Sequence, residues 1–169
     1  AVAGGPGNGQ TELAEAIMGL TNAHVTGSIK LEGRELLGRT PHDVLHAGVG
    51  FVPEDRTEDG LVGSFTIAEN LVLDVYGTPK FSTAGSMKMG AIAKNATELV
   101  DEFDIRAQSI QSLASQLSGG NQQKVVMARE LSRPLSLFVA SQPTRGVDVG
   151  SIEFLHERIV AERDKDTPV

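Results

Sequence analysis

The sequence predicts an α/β fold in which a parallel sheet is covered by helices on both faces and a mainly helical lobe is inserted between two parts of the sheet. Three observations carry this prediction. Short apolar runs at 49–52 and 135–140 read as buried strands, and helical patterns separate them. A glycine-rich loop at 4–11 runs directly into a helical pattern, which is the layout of a phosphate site. The stretch from about 71 to 133 contains no convincing strand, so it reads as the inserted lobe.

Each element has its own local reason. Ala1, Val2 and Ala3 read as the last residues of a strand. Leu13, Ile17 and Leu20 recur at helical spacing over 12–20, and 28–31 alternates as a short strand. Thr40 and Pro41 supply a cap and a first-turn proline for a brief helix to about Ala47. The apolar run 49–52 ends at Pro53. Thr66 and Glu69 form a capping box ahead of Leu71, Val72 and Leu73. Residues 77–90 are small and polar and read as a loop. Ile92, Ala96, Leu99 and Phe103 mark an amphipathic helix, and a further helix over 120–133 is stopped by Pro134. Ile152, Leu155 and Ile159 mark the last helix, whose other face, with Glu153, Glu157, Arg158 and Glu162, reads as solvated. This divides the chain into a first part of the core at 1–75, a helical subdomain at 76–133 and a second part of the core at 134–169.

Composition removes several function classes. The 169 residues carry 15 Lys+Arg against 22 Asp+Glu, a formal charge of −7, which argues against a nucleic-acid partner. With Phe 6, Tyr 1 and no Trp, a base-stacking platform is not expected either. The absence of Cys excludes disulfide frameworks, thiolate metal sites and cysteine nucleophiles. No apolar run approaches the roughly 20 residues that cross a bilayer. The start without Met, directly on apolar residues, and the close on 166–169 suggest a piece of a longer chain, with both ends of the domain missing. Gly 19 is the unusual entry in the composition, and the glycines cluster.

Gly4, Gly5, Pro6, Gly7, Asn8, Gly9, Gln10 and Thr11 fit the phosphate-loop pattern G-x-x-x-x-G-K-[ST] except at the lysine, where Gln10 stands. Glycines suit that role because backbone N–H groups must close around phosphate oxygens and side chains would block them. Thr11 is placed to bring a hydroxyl to magnesium. The dinucleotide pattern G-x-G-x-x-G fails, since its third glycine position holds Gln10. A plain glycine turn remains the alternative on this motif alone. The second cluster, Leu117, Ser118, Gly119, Gly120, Asn121, Gln122, Gln123 and Lys124, opens a helix with a serine cap and two glycines, and is either a phosphate contact or a simple capped start. After the strand at 135–140 comes Ser141, Gln142, Pro143, Thr144, Arg145, Gly146, Val147 and Asp148. Asn95, Ala96 and Thr97 form a glycosylation sequon inside an expected helix and are set aside.

The order of these motifs closely resembles the nucleotide-binding domain of ATP-binding-cassette transporters, over nearly the whole chain. More narrowly it resembles the second, C-terminal cassette of the duplicated ATPase of simple-sugar and nucleoside importers, a match extended by Val52, Pro53, Glu54, Asp55 and Arg56 with Asp59, Gly60 and Leu61. The resemblance implies a P-loop NTPase (RecA-like) core, with ATP and Mg as cofactors. It makes 4–11, with Gly4, Gly7, Asn8, Gly9, Gln10 and Thr11, the phosphate loop. It puts Glu54 at the Q-loop glutamine position, and makes Ser118, Gly119 and Gly120 the signature that caps ATP held by an opposite cassette. It sets Ser141 at the magnesium-side aspartate, Gln142 at the catalytic glutamate and Asp148 at the D-loop aspartate. The switch histidine would lie after Val169 and the adenine-stacking aromatic before Ala1. His24, His42, His46 and His156 take neither place.

Four polar positions depart from the family pattern: Gln10 for lysine, Glu54 for glutamine, Ser141 for aspartate and Gln142 for glutamate. The charge changes cancel, but their positions are wrong for hydrolysis. The resemblance therefore implies a cassette that binds ATP, hydrolyses it poorly, and completes the competent site of a second nucleotide-binding cassette. It also implies transmembrane permease subunits docked near Glu54 and the helical lobe, a solute-binding protein acting through them, and peripheral attachment at the cytoplasmic side of the cell membrane. The rival reading is a nucleotide-gated dimerisation or regulatory module of the same class that serves no transporter.

Overall fold

The computed structural model describes Val2, 7–21 and 23–169. Gly4 and most of the strand expected over 1–3 lie outside the described residues. The organising sheet is a parallel pair, β3 (Val49–Val52) and β6 (Leu137–Ala140), with Val49 opposite Leu137 and Val52 opposite Ala140. Alternate strand residues face opposite sides, so this ladder separates two cores. Val52, Phe138 and Ala140 pack into the larger core with Leu71, Val126 and Leu155. Val49, Phe51, Leu137 and Val139 pack into the smaller one with Met18, Leu36 and Val44. The expected two-sided covering of a parallel sheet is what the described residues show.

On the smaller side lie α1 (Gln10–Met18), the hairpin β1 (Lys30–Leu31) and β2 (Arg34–Glu35), and α2 (Pro41–His46). The strand expected over 28–31 is thus reduced to its last two residues. The apolar face expected for α1 needs correction as well. Ala14, Ala16 and Met18 are buried, whereas Leu13 and Leu20 are 44% and 48% exposed. The helix ends at Gly19 with φ 68, and the Arg39 carbonyl sits where a Cβ would go. That close approach presses the last turn against the entrance of α2 and leaves Leu20 beyond the helix. Thr40 caps α2 by accepting from the Asp43 N–H, with Pro41 in its first turn.

On the larger side lie α3 (Ile67–Asn70), the hairpin β4 (Ser82–Thr83) and β5 (Ser86–Met87), α4 (Met89–Glu102), α5 (Gly119–Leu131) and α6 (Val149–Arg163). The Thr66–Glu69 capping box forms, with Thr66 N–H donating to Glu69 Oε2 at 2.7 Å. Residues 77–90, read as a loop, contain the β4–β5 hairpin. Ala84 and Gly85 both have positive φ at its turn, and Ala in the place where Asn or Asp usually stands hid the signal. Asn95 of the sequon is 8% exposed on α4 and accepts from Lys80 Nζ at 2.8 Å. The outer face of α6 is not wholly solvated. Arg158 lies 4.4 Å from the Phe103 ring centroid and also binds Glu102, while Glu162 is buried and accepts from Thr167 Oγ1 at 2.8 Å. The chain after α6 folds back so that the Pro168 carbonyl accepts from the Phe138 N–H, and this return covers the helix end.

The C-terminal end of α5 is fastened to β3 by charge. Glu130 is buried and its Oε2 accepts from the Phe51 N–H at 3.1 Å and from Arg133 Nη2 at 3.1 Å. Arg133 also donates to the Val49 carbonyl at 2.7 Å, and Arg129 donates to the Gly60 carbonyl at 2.9 Å while pairing with Glu130 and, at 3.3 Å, with Asp74. Side chains of α5 and of the turn that follows it thereby satisfy β3 backbone groups that point away from β6. Burial pushes the Glu130 carboxyl up to about 7, against the opposing pull of Arg129. A carboxyl raised in the folded state contributes stability that is complete below its unfolded value of about 4.5 and is lost as pH rises to about 7. Urea unfolding at a series of pH values is expected to show stability falling across that window, and Glu130→Gln is expected to flatten the fall.

Candidate functional site

Gly7 and Gly9 have φ of 79° and 91°, a region that side chains disfavour, and Gly9 is the N-cap of α1. Among the described residues a Cβ at either position would meet no atom within 4 Å. Asn8 lies exposed between them, and Gln10 is the half-buried first residue of α1. Thr11 follows, and its hydroxyl donates to Glu54 Oε2 at 3.0 Å. The structure therefore brings Glu54 to the start of α1, beside the glycine turn. A hydroxyl that gives its proton to a carboxylate leaves its lone pairs for a cation, and hydroxyl with carboxylate is a hard oxygen set suited to Mg²⁺. No cluster of three or more His, Cys, Asp or Glu occurs among the described residues, so any cation here needs phosphate or water oxygens too.

Glu54 is held from its other side by Arg145, whose Nη1 lies 2.5 Å from Oε1. Arg145 belongs to the loop after β6. Ser141 extends the ladder by donating its N–H to the Val52 carbonyl at 2.9 Å. Gln142 is exposed and has φ 46, a left-handed backbone uncommon for a residue with a side chain. Its carbonyl accepts from the Arg145 N–H at 3.0 Å, which closes the turn.

The second glycine cluster packs against this same loop. Ser118 caps α5, its Oγ accepting from Asn121 Nδ2 at 2.9 Å and from the Asn121 N–H at 3.5 Å. A Cβ on Gly119 would lie 2.5 Å from Arg56 Nη2 and 3.0 Å from the Gly146 carbonyl. One on Gly120 would run into the Asp148 carboxylate and lie 2.5 Å from Ser151 Oγ. Both glycines are closely packed within this chain, so that any side chain there must displace Arg56 or the Asp148–Ser151 pair, a reason the sequence did not reveal. Asp148 caps α6 by accepting from the Ser151 hydroxyl at 2.8 Å and its N–H at 3.0 Å, and these bonds hold its carboxyl below the usual range. An open cleft of about 600 Å³ lies beside the turn, lined in part by Ser118, Asn121, Lys124, Asp148, Ser151 and Phe154. Buried Lys124 is fixed there by the Asp104 carboxylate at 2.9 Å and carbonyl at 2.8 Å, and sits 4.7 Å above the Phe154 ring.

Two side chains missed as participants are Arg145 and Arg56. Both fall inside motifs that the resemblance quoted, yet neither carried a role, because only the fold shows that they face Glu54 and Gly119. Of the histidines, His42 and His46 stack on one another in α2 with ring centroids 4.1 Å apart.

Parallel strands, a left-handed glycine turn feeding a helix, and a hydroxyl beside a carboxylate at the helix start define an α/β mononucleotide-binding domain. The chain belongs to the ABC transporter family, whose pattern matches residues 1–145, and it is part of an ATP-binding domain of that family. Among similar proteins are the Nucleoside import ATP-binding protein NupA of Lactococcus lactis (48% identity over 168 residues) and the Guanosine import ATP-binding protein NupO of Bacillus subtilis (42% over 163). The Glucose import ATP-binding protein TsgD13 of Haloferax volcanii is 41% identical over 170 residues. These alignments cover 99%, 96% and 99% of this chain but only 33%, 32% and 31% of the relatives. The chain thus spans about a third of their length. The fold matches the dimeric post-hydrolysis structure of the ATP-binding cassette MJ0796 bound to ADP and Pi, with TM-score 0.74, 22% identity, 94% of this chain and 66% of that one covered.

Gly120→Ala is expected to destabilise the chain by about 1–3 kcal/mol, because the methyl group must displace the Asp148–Ser151 cap. Urea denaturation checks this, and the largest loss of hydrogen-exchange protection should fall in the first turn of α6.

Proposed function

We propose that this chain is part of the ATP-binding subunit of an importer for a sugar or nucleoside, and that it works asymmetrically. Its own loop at 7–11 binds ATP and hydrolyses it poorly, while Ser118, Gly119 and Gly120 complete the competent site of a second cassette. The carrying observation is the amide of Gln142 in the exposed turn after β6, where the family pattern places a catalytic carboxylate. The names of the relatives, which specify import of nucleosides, guanosine and glucose, support the cargo class.

Each residue then has a limited task. Gly7, Gly9 and the start of α1 offer N–H groups to phosphate oxygens. Gln10 donates a neutral hydrogen bond where lysine would donate a charged one, and bonds to charged groups are worth about 1.5–3 kcal/mol. Thr11 and Glu54 would hold the magnesium ion that accompanies ATP, which supplies positive charge to the phosphate oxygens when bound. Ser141 brings no carboxylate to that side. Gln142 cannot take a proton from water, and loss of a positioned base costs roughly 10²- to 10⁴-fold in rate. Asp148 and Ser151 hold the entrance of α6 against Gly120.

Transmembrane permease subunits dock near Glu54 and the helical lobe in this reading, and a solute-binding protein acts through them. The domain sits peripherally at the cytoplasmic side of the membrane. No helix among the described residues is long and apolar enough to cross it.

Solute uptake in a strain carrying Ser118→Arg is expected to be abolished, because the guanidinium fills the turn that faces the second site. Gln142→Ala is expected to keep uptake within a few-fold of wild type. Equal loss from both substitutions sinks the asymmetric reading. Alone in solution, residues 1–169 are expected to turn over ATP no faster than background in a phosphate-release assay.

A further inference from the structure

An unbroken run of contacts joins the nucleotide loop to the glycine turn that opens α5. Thr11 donates to Glu54, Glu54 accepts from Arg145, and the Arg145 carbonyl accepts from Arg56 Nη1 at 2.8 Å. Arg56 Nη2 donates to the Gly146 carbonyl at 3.3 Å and lies against Gly119, where a Cβ would come within 2.5 Å of it. Arg56 Nε is buried and has no hydrogen-bond partner among the described residues, so the guanidinium is held through its two terminal nitrogens. Asp55 starts the turn that carries Arg56, accepting from the Thr57 hydroxyl at 2.6 Å and N–H at 2.9 Å, which sets where the arginine leaves the backbone.

We propose that Arg56 is a positioning residue for the Ser118–Gly120 turn, and that with Arg145 it transmits the state of this chain's nucleotide loop to that turn. The inference rests on the reading that nucleotide binds at 7–11 and that the Ser118 turn serves a second site. The fork of arginine reaches two successive carbonyls at once, which lysine cannot do. The missing side chain at Gly119 lets the guanidinium sit behind the turn. A cation at Thr11 competes for the Glu54 carboxylate that anchors Arg145. A change there reaches Arg56 through one loop, and reaches Gly119 through Arg56. The loop at 7–11 and the Ser118 turn are thereby coupled through the Glu54–Arg145 ion pair.

The test uses the whole protein with its second cassette and reads hydrogen exchange at the Asn121 and Gln122 amides, which donate to Ser118. Arg56→Ala and the milder Arg56→Lys are both expected to raise exchange there tenfold or more while leaving α1 unchanged. Mg-ADP is expected to shift exchange at those two amides in the wild type and to leave them unmoved in Arg145→Ala. In ATP turnover, Arg56→Lys is expected to lower kcat about tenfold with KM within twofold. If Mg-ADP protects 7–13 while the Arg56 variants leave Asn121 and Gln122 at wild-type exchange, the inference is overturned and the nucleotide reading stands. If Mg-ADP leaves 7–13 unprotected in the wild type, the nucleotide reading falls and the coupling falls with it. Should Arg56→Ala not fold, Arg56→Lys and Arg145→Ala still decide the outcome.

Discussion

One buried carboxylate organises this molecule. Glu130 accepts the backbone N–H of Phe51 and the guanidinium of Arg133 while pairing with Arg129, so the end of α5 is fixed to β3, and Arg129 extends the hold to the Gly60 carbonyl and Asp74. Removing one member of such a cluster leaves an uncompensated buried charge, at a cost of about 3–5 kcal/mol. The consequence lies at the other end of the helix. A 13-residue rod anchored there carries the Ser118 turn at its start, so the turn is placed by the sheet as well as by its own loop.

The charges placed at 54, 141 and 142 make structural sense together. Glutamate at 54 can accept from Thr11 and pair with Arg145 at once, which a glutamine could do only through its single oxygen. With Ser141 and Gln142 neutral, no carboxylate from the end of β6 competes for Arg145. The carboxylate of Glu54 is thereby left to tie the loop at 7–11 to the loop after β6.

Much of the fold was legible in the sequence because it rests on signals that local chemistry enforces. The Thr66–Glu69 box, the Thr40–Pro41 start and the apolar runs of β3 and β6 form where expected. Where reading failed, a tertiary contact won. Gly19 meeting the Arg39 carbonyl reset which face of α1 is buried, and Ala84 accepted a positive φ that its type disfavours. Glu162 and Arg158 looked like surface charges until the returning chain and the Phe103 ring covered them. At the site, residues to which the resemblance assigns a role were visible as motif letters, whereas Arg56 and Arg145 make their contacts with neighbours about 90 positions away, which no local pattern encodes.

The unequal division of the interior by the β3–β6 ladder has a thermodynamic consequence. The nucleotide loop and α1 stand on the smaller core, where the fully buried side chains are Met18, Leu36, Val44 and Val49, while α5 and its turn stand on the larger one. Among the described residues fewer apolar side chains are buried on the α1 side, and fewer such contacts mean a lower free energy of local opening. A ligand that binds only the closed form stabilises it by RT ln(1 + [L]/Kd), about 2.7 kcal/mol at a hundredfold excess over Kd. On the proposed reading, nucleotide is then a structural component of that side, and its heat resistance follows the ATP concentration around it.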